Sequence, residues 1–146
     1  MVRKVIGVDN DYKTIRFAKK HYRNKKIEFI KKDLFKIRFP NKYFNTIVSI
    51  ETLEHVKNCI PFLRNIKRML KKGGIVILST PMLRYKNGKP HITNPFHLNE
   101  MPKERFLRLM KRIFGRNCKY YAQHQTKFSR LTTENTGFCI AVWKKL

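Results

Sequence analysis

Short runs of apolar and β-branched residues alternate along this chain with stretches of helical spacing. Val5, Ile6 and Val8 mark a first strand within Val2–Val8 that closes on Gly7-Val8-Asp9. Asp9-Asn10-Asp11 then offers turn and N-cap chemistry for a helix over Tyr12–Tyr22, with Ile15 and Ala18 on its apolar face and Phe17 beside them. Ile27-Glu28-Phe29-Ile30 predicts a second strand, followed by Lys32-Asp33-Leu34-Phe35 and a loop to Pro40. Phe44–Ser49 is apolar and β-branched but too brief for a helix, and it predicts a third strand. Beyond it, Val56, Ile60, Leu63, Ile66, Met69 and Leu70 recur at helical spacing within Leu53–Leu70. Pro61 interrupts that pattern, so a break is expected, with a main helix from near Ile60 to Leu70 whose first turn tolerates the proline. Lys71 and Lys72 suit its C-terminus and Gly73-Gly74 its end.

The next strand, Ile75–Thr80, is apolar over its first four residues, which predicts burial on both faces. Pro81–Pro95 holds enough Pro, Gly and Asn for a long loop, and loops of that length often serve as lids. A helix over Pro102–Phe114 carries Phe106, Leu109, Met110, Ile113 and Phe114 on one face, and Asn117–Gln123 and Gly137–Lys144 read as closing strands. Strands alternating with helices predict an α/β fold, a doubly wound sheet with helices on both faces. A chain of 146 residues suffices for one domain, 1–146, and not for two.

Composition narrows the picture. No apolar run approaches the roughly 18 residues of a membrane span, and Val5-Ile6-Gly7-Val8 is too short for a signal peptide, so a cytoplasmic protein without a membrane span is expected. Cys59, Cys118 and Cys139 lack C-x-x-C spacing and read as reduced thiols rather than a disulfide framework or a zinc site. The formal net charge is +25, from 34 basic and 9 acidic residues. Such an excess admits RNA or another polyanion as a partner, through counterion release, and equally a lysine-rich codon usage, since the charges are spread along the whole chain.

In so basic a chain the positions of the acids carry information. Asp9, Asp33, Glu51 and Glu54 fall at or just past the ends of predicted strands, where open α/β sheets bind ligands. Asp9 suits the two hydroxyls of a ribose, and it serves equally as a helix cap. Asp33 can accept from the exocyclic amine of adenine while the next backbone N–H reaches a ring nitrogen, and an Asx-turn explains it as well. Glu51, Glu54 and His55 have i, i+3 and i+4 spacing, which places all three on one face if a helix begins at or before Glu51. Asp11, Glu28, Glu100, Glu104 and Glu134 have local structural readings.

Five stretches in order resemble the successive motifs of class I S-adenosylmethionine-dependent methyltransferases. They are Val5-Ile6-Gly7-Val8-Asp9, Lys32-Asp33-Leu34, the run from Phe44 through Glu51-Thr52-Leu53-Glu54-His55 to Val56, Leu70-Lys71-Lys72-Gly73-Gly74, and Ile77-Leu78-Ser79-Thr80-Pro81. The resemblance implies S-adenosylmethionine as cofactor, with Asp9 on the ribose, Asp33 and the Leu34 amide on the adenine, and Ser49, Ile50 and Glu51 near the methionine portion. Thr80, Pro81 and the loop to His97 would face a methyl acceptor, an O- or N-nucleophile on RNA, glycan or a small molecule. More loosely, Asn94–Gln123 is similar to methyltransferases that accompany glycan and cell-surface assembly. With His97, the Glu51, Glu54 and His55 set resembles the metal site of small-RNA 2′-O-methyltransferases and of some ubiquinone-pathway enzymes, which implies Mg or Mn polarising an acceptor hydroxyl. Glu-His at this place also resembles family members without metal. His55 or His97 would be the base where the acceptor must lose a proton.

One departure stands against this match. The family begins with a strand and a Gly-rich turn, and no G-x-G-x-G occurs here. The absent strand would lie between the first and third strands and leave two edges unpaired. An incomplete gene product, an N-terminal segment supplied by a partner chain and a degenerate remnant all fit, the expected form being an N-terminally truncated methyltransferase. Two rivals are a non-catalytic module that holds nucleic acid or a partner subunit on its basic surface, and a nucleotide-sugar or NAD enzyme, which the Glu51–His55 motif and the Gly73-Gly74 strand entry disfavour.

Overall fold

The β-branched runs form strands and the amphipathic stretches between them form helices in a computed structural model that describes residues 2–92, 94–132 and 137–146. Glu134 lies outside the described residues. Contacts divide the chain into two compact units, Met1–Phe39 and Pro40–Leu146.

In the first unit, β1 (Val5–Asp9) is followed by α1 (Tyr12–His21) and β2 (Ile27–Lys31). The two strands pair in parallel, from Val5 opposite Ile27 to Asp9 opposite Lys31. The strand expected from Val2 begins instead at Val5, where the Val5 N–H finds the Lys26 carbonyl at 2.8 Å and the ladder starts. Helix α1 starts where the Asp11 carboxylate accepts from the Thr14 N–H at 2.7 Å and the Thr14 hydroxyl at 2.8 Å. Those bonds hold the Asp11 carboxyl below its ordinary value. Lys19, Lys20 and His21 fill the last turn, where cations suit the negative end of the helix dipole. Ile15 and Ile37 are the buried apolar residues of this unit among those described, so its core is slight.

The second unit opens with β3 (Phe44–Ser49), a single 3-10 turn (Leu53–His55) and α2 (Cys59–Met69). The break expected near Pro61 is present, and Pro61 sits in the first turn of α2, where a missing N–H is harmless. The helix ends at Met69, because Leu70 is already extended, and not at Gly73-Gly74 as the spacing suggested. Its last carbonyls are served by Lys145, whose Nζ donates to Lys67 O and Leu70 O, both at 2.9 Å. Strand β4 (Leu70–Pro81) begins at once and pairs in parallel with β3. Between the pairs Phe44–Leu70 and Thr46–Ile75 a single residue of β3 faces Lys71-Lys72-Gly73-Gly74, which bulge outward. A Cβ on Gly74 would stand 2.9 Å from the Lys71 carbonyl oxygen and 3.0 Å from that of Asn45, so the excursion needs glycine there.

The loop expected over Pro81–Pro95 contains a hairpin, β5 (Arg84–Lys86) and β6 (Lys89–His91). Then come α3 (Lys103–Phe114), β7 (Lys119–His124), β8 (Lys127–Arg130) and β9 (Phe138–Lys144). The sheet order is β3-β4-β9-β7-β8, with every pair but the first antiparallel. Helices α2 and α3 seal one face: Phe62, Leu63, Ile66, Phe106, Met110 and Phe114 meet Val76, Leu78, Ala141 and Trp143, all buried. Full burial of such side chains stabilises by about 1.5–3 kcal/mol each. The Phe114 and Trp143 rings lie 5.0 Å apart, and Lys67 Nζ stands over the Trp143 ring and donates to Ile113 O at 2.6 Å. The opposite face of β4 is only partly covered at Ile75 and Ile77, short of the two-sided burial expected for this strand. Strands β1 and β3 each pair on one edge only among the described residues. The three cysteines are free, and burial pushes the Cys139 thiol up to about 11.

Candidate functional site

Strand ends place most of the expected residues, and local hydrogen bonds decide between their roles. Asp9 closes β1, and its Oδ1 accepts the Asp11 N–H at 2.8 Å. Capping of α1 falls to Asp11, so the cap explanation of Asp9 gives way, and its other carboxylate oxygen takes no bond from a described residue. Asp33 does make the Asx-turn, its Oδ1 accepting from Phe35 N at 2.8 Å, while the Leu34 N–H has no partner among the described residues.

In the second unit the chain leaves β3 through Ser49, Ile50 and Glu51. Glu51 sits at φ 47°, a left-handed conformation that non-glycine residues adopt at a cost and that clusters at functional sites. No helix begins at or before Glu51, so the condition for one shared face of Glu51, Glu54 and His55 is not met. Instead the Glu51 carboxylate turns to the end of β4, where Ser79 Oγ donates to its Oε1 at 2.6 Å and accepts the Glu51 N–H at 3.2 Å. Burial raises the Glu51 carboxyl above its ordinary value; the Ser79 bond opposes this, the Glu54 carboxylate adds to it and His97 works against it. Ile50 stands beside it 53% exposed, an apolar residue facing solvent at a strand end.

Glu54 is 1% exposed, and its Oε2 accepts from the Thr80 hydroxyl at 3.1 Å. Its backbone carbonyl takes the N–H groups of Leu98 at 2.7 Å and Asn99 at 2.9 Å, and the Asn99 side-chain amide bonds to Val56 O. These bonds staple the segment around His97 onto the 3-10 turn. Each imidazole is then oriented by its Nδ1. His55 Nδ1 is 3.0 Å from Phe96 O, which can only accept, so that nitrogen carries the proton. His97 Nδ1 bonds to the buried Glu100 carboxylate. The Asn94 Oδ1 accepts from Phe96 N at 3.0 Å, which turns its amide nitrogen to His97 Nε2, also at 3.0 Å. His97 Nε2 thus accepts from the Asn94 amide, while His55 Nε2 takes no hydrogen bond from a described residue. His55 Nε2 is 4.0 Å from Glu54 Oε1, and the two rings meet edge to face at 4.8 Å.

Glu54, His55 and His97 each offer a ligand atom within 4.8 Å of the others, and Glu51 is not part of that group. Two imidazoles and one carboxylate, with a carboxylate behind one imidazole, form a donor set of the kind divalent transition ions take. Ser79, Asn94, Asn99 and Glu100 were not singled out in the sequence; only Glu100, three residues from His97, carried a spacing signal.

A methyltransferase-domain family matches residues 1–78, a stretch that runs from before β1 almost to the end of β4. The chain belongs to the class I S-adenosylmethionine-dependent methyltransferases. The chain is 26% identical over 102 residues to a probable S-adenosylmethionine-dependent methyltransferase of Mycobacterium tuberculosis, an overlap covering 69% of the chain and 36% of that protein. It is 31% identical over 81 residues to the ubiquinone biosynthesis O-methyltransferase of Pelagibacter ubique, covering 52% and 32%. The chain thus spans about a third of the length of these relatives. Its fold matches that of an S-adenosylmethionine-dependent methyltransferase of Thermotoga maritima with a TM-score of 0.76 at 18% identity, over 97% of this chain and 72% of that one. No helix among the described residues is long and apolar enough to cross a membrane.

Proposed function

We propose that the chain serves S-adenosylmethionine-dependent methyl transfer, with Asp9 of the first unit holding the ribose of the cofactor and the second unit receiving a nucleophile beside His55 and His97. The observation that carries this reading is Asp9: it ends a parallel strand, yields capping to Asp11 and has one carboxylate oxygen without a partner among the described residues, as the two hydroxyls of a ribose require. The Leu34 N–H, likewise without a partner among the described residues, is the donor an adenine ring nitrogen needs. Ser49, Ile50 and Glu51 line the methionine end. Transfer consists of attack by the acceptor on the sulfonium methyl carbon as the carbon–sulfur bond breaks, leaving a neutral thioether. Alignment supplies most of the rate, and the proton of a hydroxyl acceptor goes to His55 Nε2, or to His97 Nε2 once the Asn94 amide leaves it. In each unit one strand, β1 or β3, has an edge that pairs with no strand among the described residues, which leaves that edge open to a further strand. Calorimetric titration with S-adenosylhomocysteine tests the reading: binding is expected, with Asp9→Ala weakening it at least tenfold and Asp11→Ala leaving it intact. Equal binding by wild type and Asp9→Ala would refute the assignment.

A second reading rests on the proximity of Glu54, His55 and His97. These side chains would hold a divalent ion, and their two nitrogen donors favour manganese over magnesium, which prefers oxygen. Such an ion would polarise an acceptor hydroxyl. Manganese titration followed by the loss of the free-ion electron paramagnetic signal tests it, and absence of binding by the wild-type chain would remove it.

A further inference from the structure

The hairpin of β5 and β6 has no counterpart in the chemistry above. Asn87 at φ 53° and Gly88 at φ 72° are both left-handed, which makes the connection a two-residue type I′ turn. The register sets Arg84 opposite His91, Tyr85 opposite Pro90 and Lys86 opposite Lys89. Residues directly opposite in an antiparallel pair share a face, so Arg84, Lys86, Lys89 and His91 lie on one face and Tyr85 and Pro90 on the other. All six are exposed, and among the described residues no carboxylate pairs with any of the four basic groups. Like charges set directly opposite each other destabilise a pair, and a two-stranded hairpin has little stability to spare. A bound anion removes that repulsion.

We propose that this cationic face binds the phosphate backbone of nucleic acid, as the arm through which the methyltransferase grips its acceptor. Alternate residues on a strand stand roughly 6.8 Å apart, so Arg84 and Lys86 are spaced like successive phosphates along one strand. The face is open rather than a pocket, which suits a chain of phosphates better than a free one. The tip, Asn87-Gly88, is polar and carries no apolar wedge, which speaks against insertion into a lipid surface. The arm returns to the fold at Ile92, two residues before Asn94, whose amide faces His97, while Met82 on the outgoing side bridges to Met101. A grip there is rooted beside the candidate site. Only the word acceptor rests on the methyl-transfer reading; the binding itself does not.

The test uses fluorescence anisotropy of a short fluorescein-labelled oligouridylate. Substituting Arg84→Ala, Lys86→Ala and Lys89→Ala together is expected to weaken binding about tenfold near 0.1 M salt and to flatten the salt dependence by about two, three contacts at ~0.7 each. A control with Lys13→Ala, Lys19→Ala and Lys20→Ala on α1 removes the same charge and is expected to change binding less than threefold. Lys86→Arg with Lys89→Arg is expected to retain affinity. Equal losses in hairpin and control variants would assign the binding to net charge and overturn the proposal. So would hairpin-dependent uptake on phosphatidylglycerol vesicles without oligouridylate binding. Titrating the same proteins with S-adenosylhomocysteine separates the two readings: cofactor binding without hairpin-dependent RNA binding refutes the arm alone, and the reverse refutes the cofactor site alone.

Discussion

Glu51 and Ser79 stand at the carboxyl ends of adjacent parallel strands and are joined twice, hydroxyl to carboxylate at 2.6 Å and backbone N–H to hydroxyl at 3.2 Å. The pair holds Glu51 in its left-handed conformation and its carboxylate in a partly dry place. Because the folded state raises the pKa of this group, the folded chain binds more protons than the unfolded one between the ordinary value of 4.5 and the raised value. Stability from this group therefore falls as pH rises through that window and stays lower above it. Glu51→Gln keeps an acceptor for Ser79 and removes the ionisation. Its melting temperature relative to wild type is expected to climb between about pH 4 and pH 7, as read by scanning calorimetry; a difference independent of pH would show that Glu51 is not desolvated.

Under the cofactor reading proposed above, Asp9 and Asp11 divide binding from folding. Asp11→Ala removes the cap of α1 and is expected to lower the melting temperature by a few degrees with cofactor affinity unchanged. Asp9→Asn keeps the acceptor for Asp11 N–H and is expected to keep the melting temperature while losing most of the affinity for S-adenosylhomocysteine. Circular dichroism melts beside titration calorimetry decide it, and a reversed pattern would return Asp9 to a structural role.

A divalent ion held by Glu54, His55 and His97, as proposed above, would have a definite ligand list. Glu54→Gln and His97→Ala are expected to weaken manganese at least tenfold, and Glu51→Ala by less than threefold, since Glu51 is outside the group. Glu100→Ala, which frees the His97 Nδ1, is expected to weaken it about tenfold without touching a ligand. Paramagnetic titration of each variant reads the order directly.

Two packing changes probe the second unit. Phe106→Ala removes a ring that is fully buried under the sheet and is expected to cost about 3–5 kcal/mol in urea unfolding. Gly74→Ala sets a methyl against two backbone oxygens at 2.9 and 3.0 Å and is expected to cost about 1–3 kcal/mol, whereas a neutral result would mean that the bulge relaxes freely.

Strand and helix order was legible because it rests on period: the alternation of short apolar runs with helical spacing carries β1 to α2 and the closing strands. Boundaries depended on tertiary partners. Gly73-Gly74 resembles a helix stop, yet Lys145, seventy-five residues beyond Leu70, supplies the cap and lets α2 end earlier. The hairpin escaped because Asn87-Gly88 is flanked by Arg-Tyr-Lys and Lys-Pro-His, without the alternating apolar residues that mark a strand. Spacing grouped Glu51 with Glu54 and His55 on the assumption of a helix, and one left-handed residue undoes it. Asp-Asn-Asp offers two carboxylates as caps, and only the hydrogen bonds assign the work to Asp11.

Strand β3 lies at the margin of its sheet, with Val48 58% exposed and one row of backbone groups meeting no strand among the described residues. Such a margin is a template on which another copy could crystallise its own strand. What opposes that encounter is the formal charge of +25, whose reach shrinks from about 10 Å at 0.1 M salt to about 3 Å at 1 M. Colloidal behaviour therefore runs opposite to habit for a protein purified in high salt: dilute buffer keeps copies of this chain dispersed, and concentrated salt brings them together.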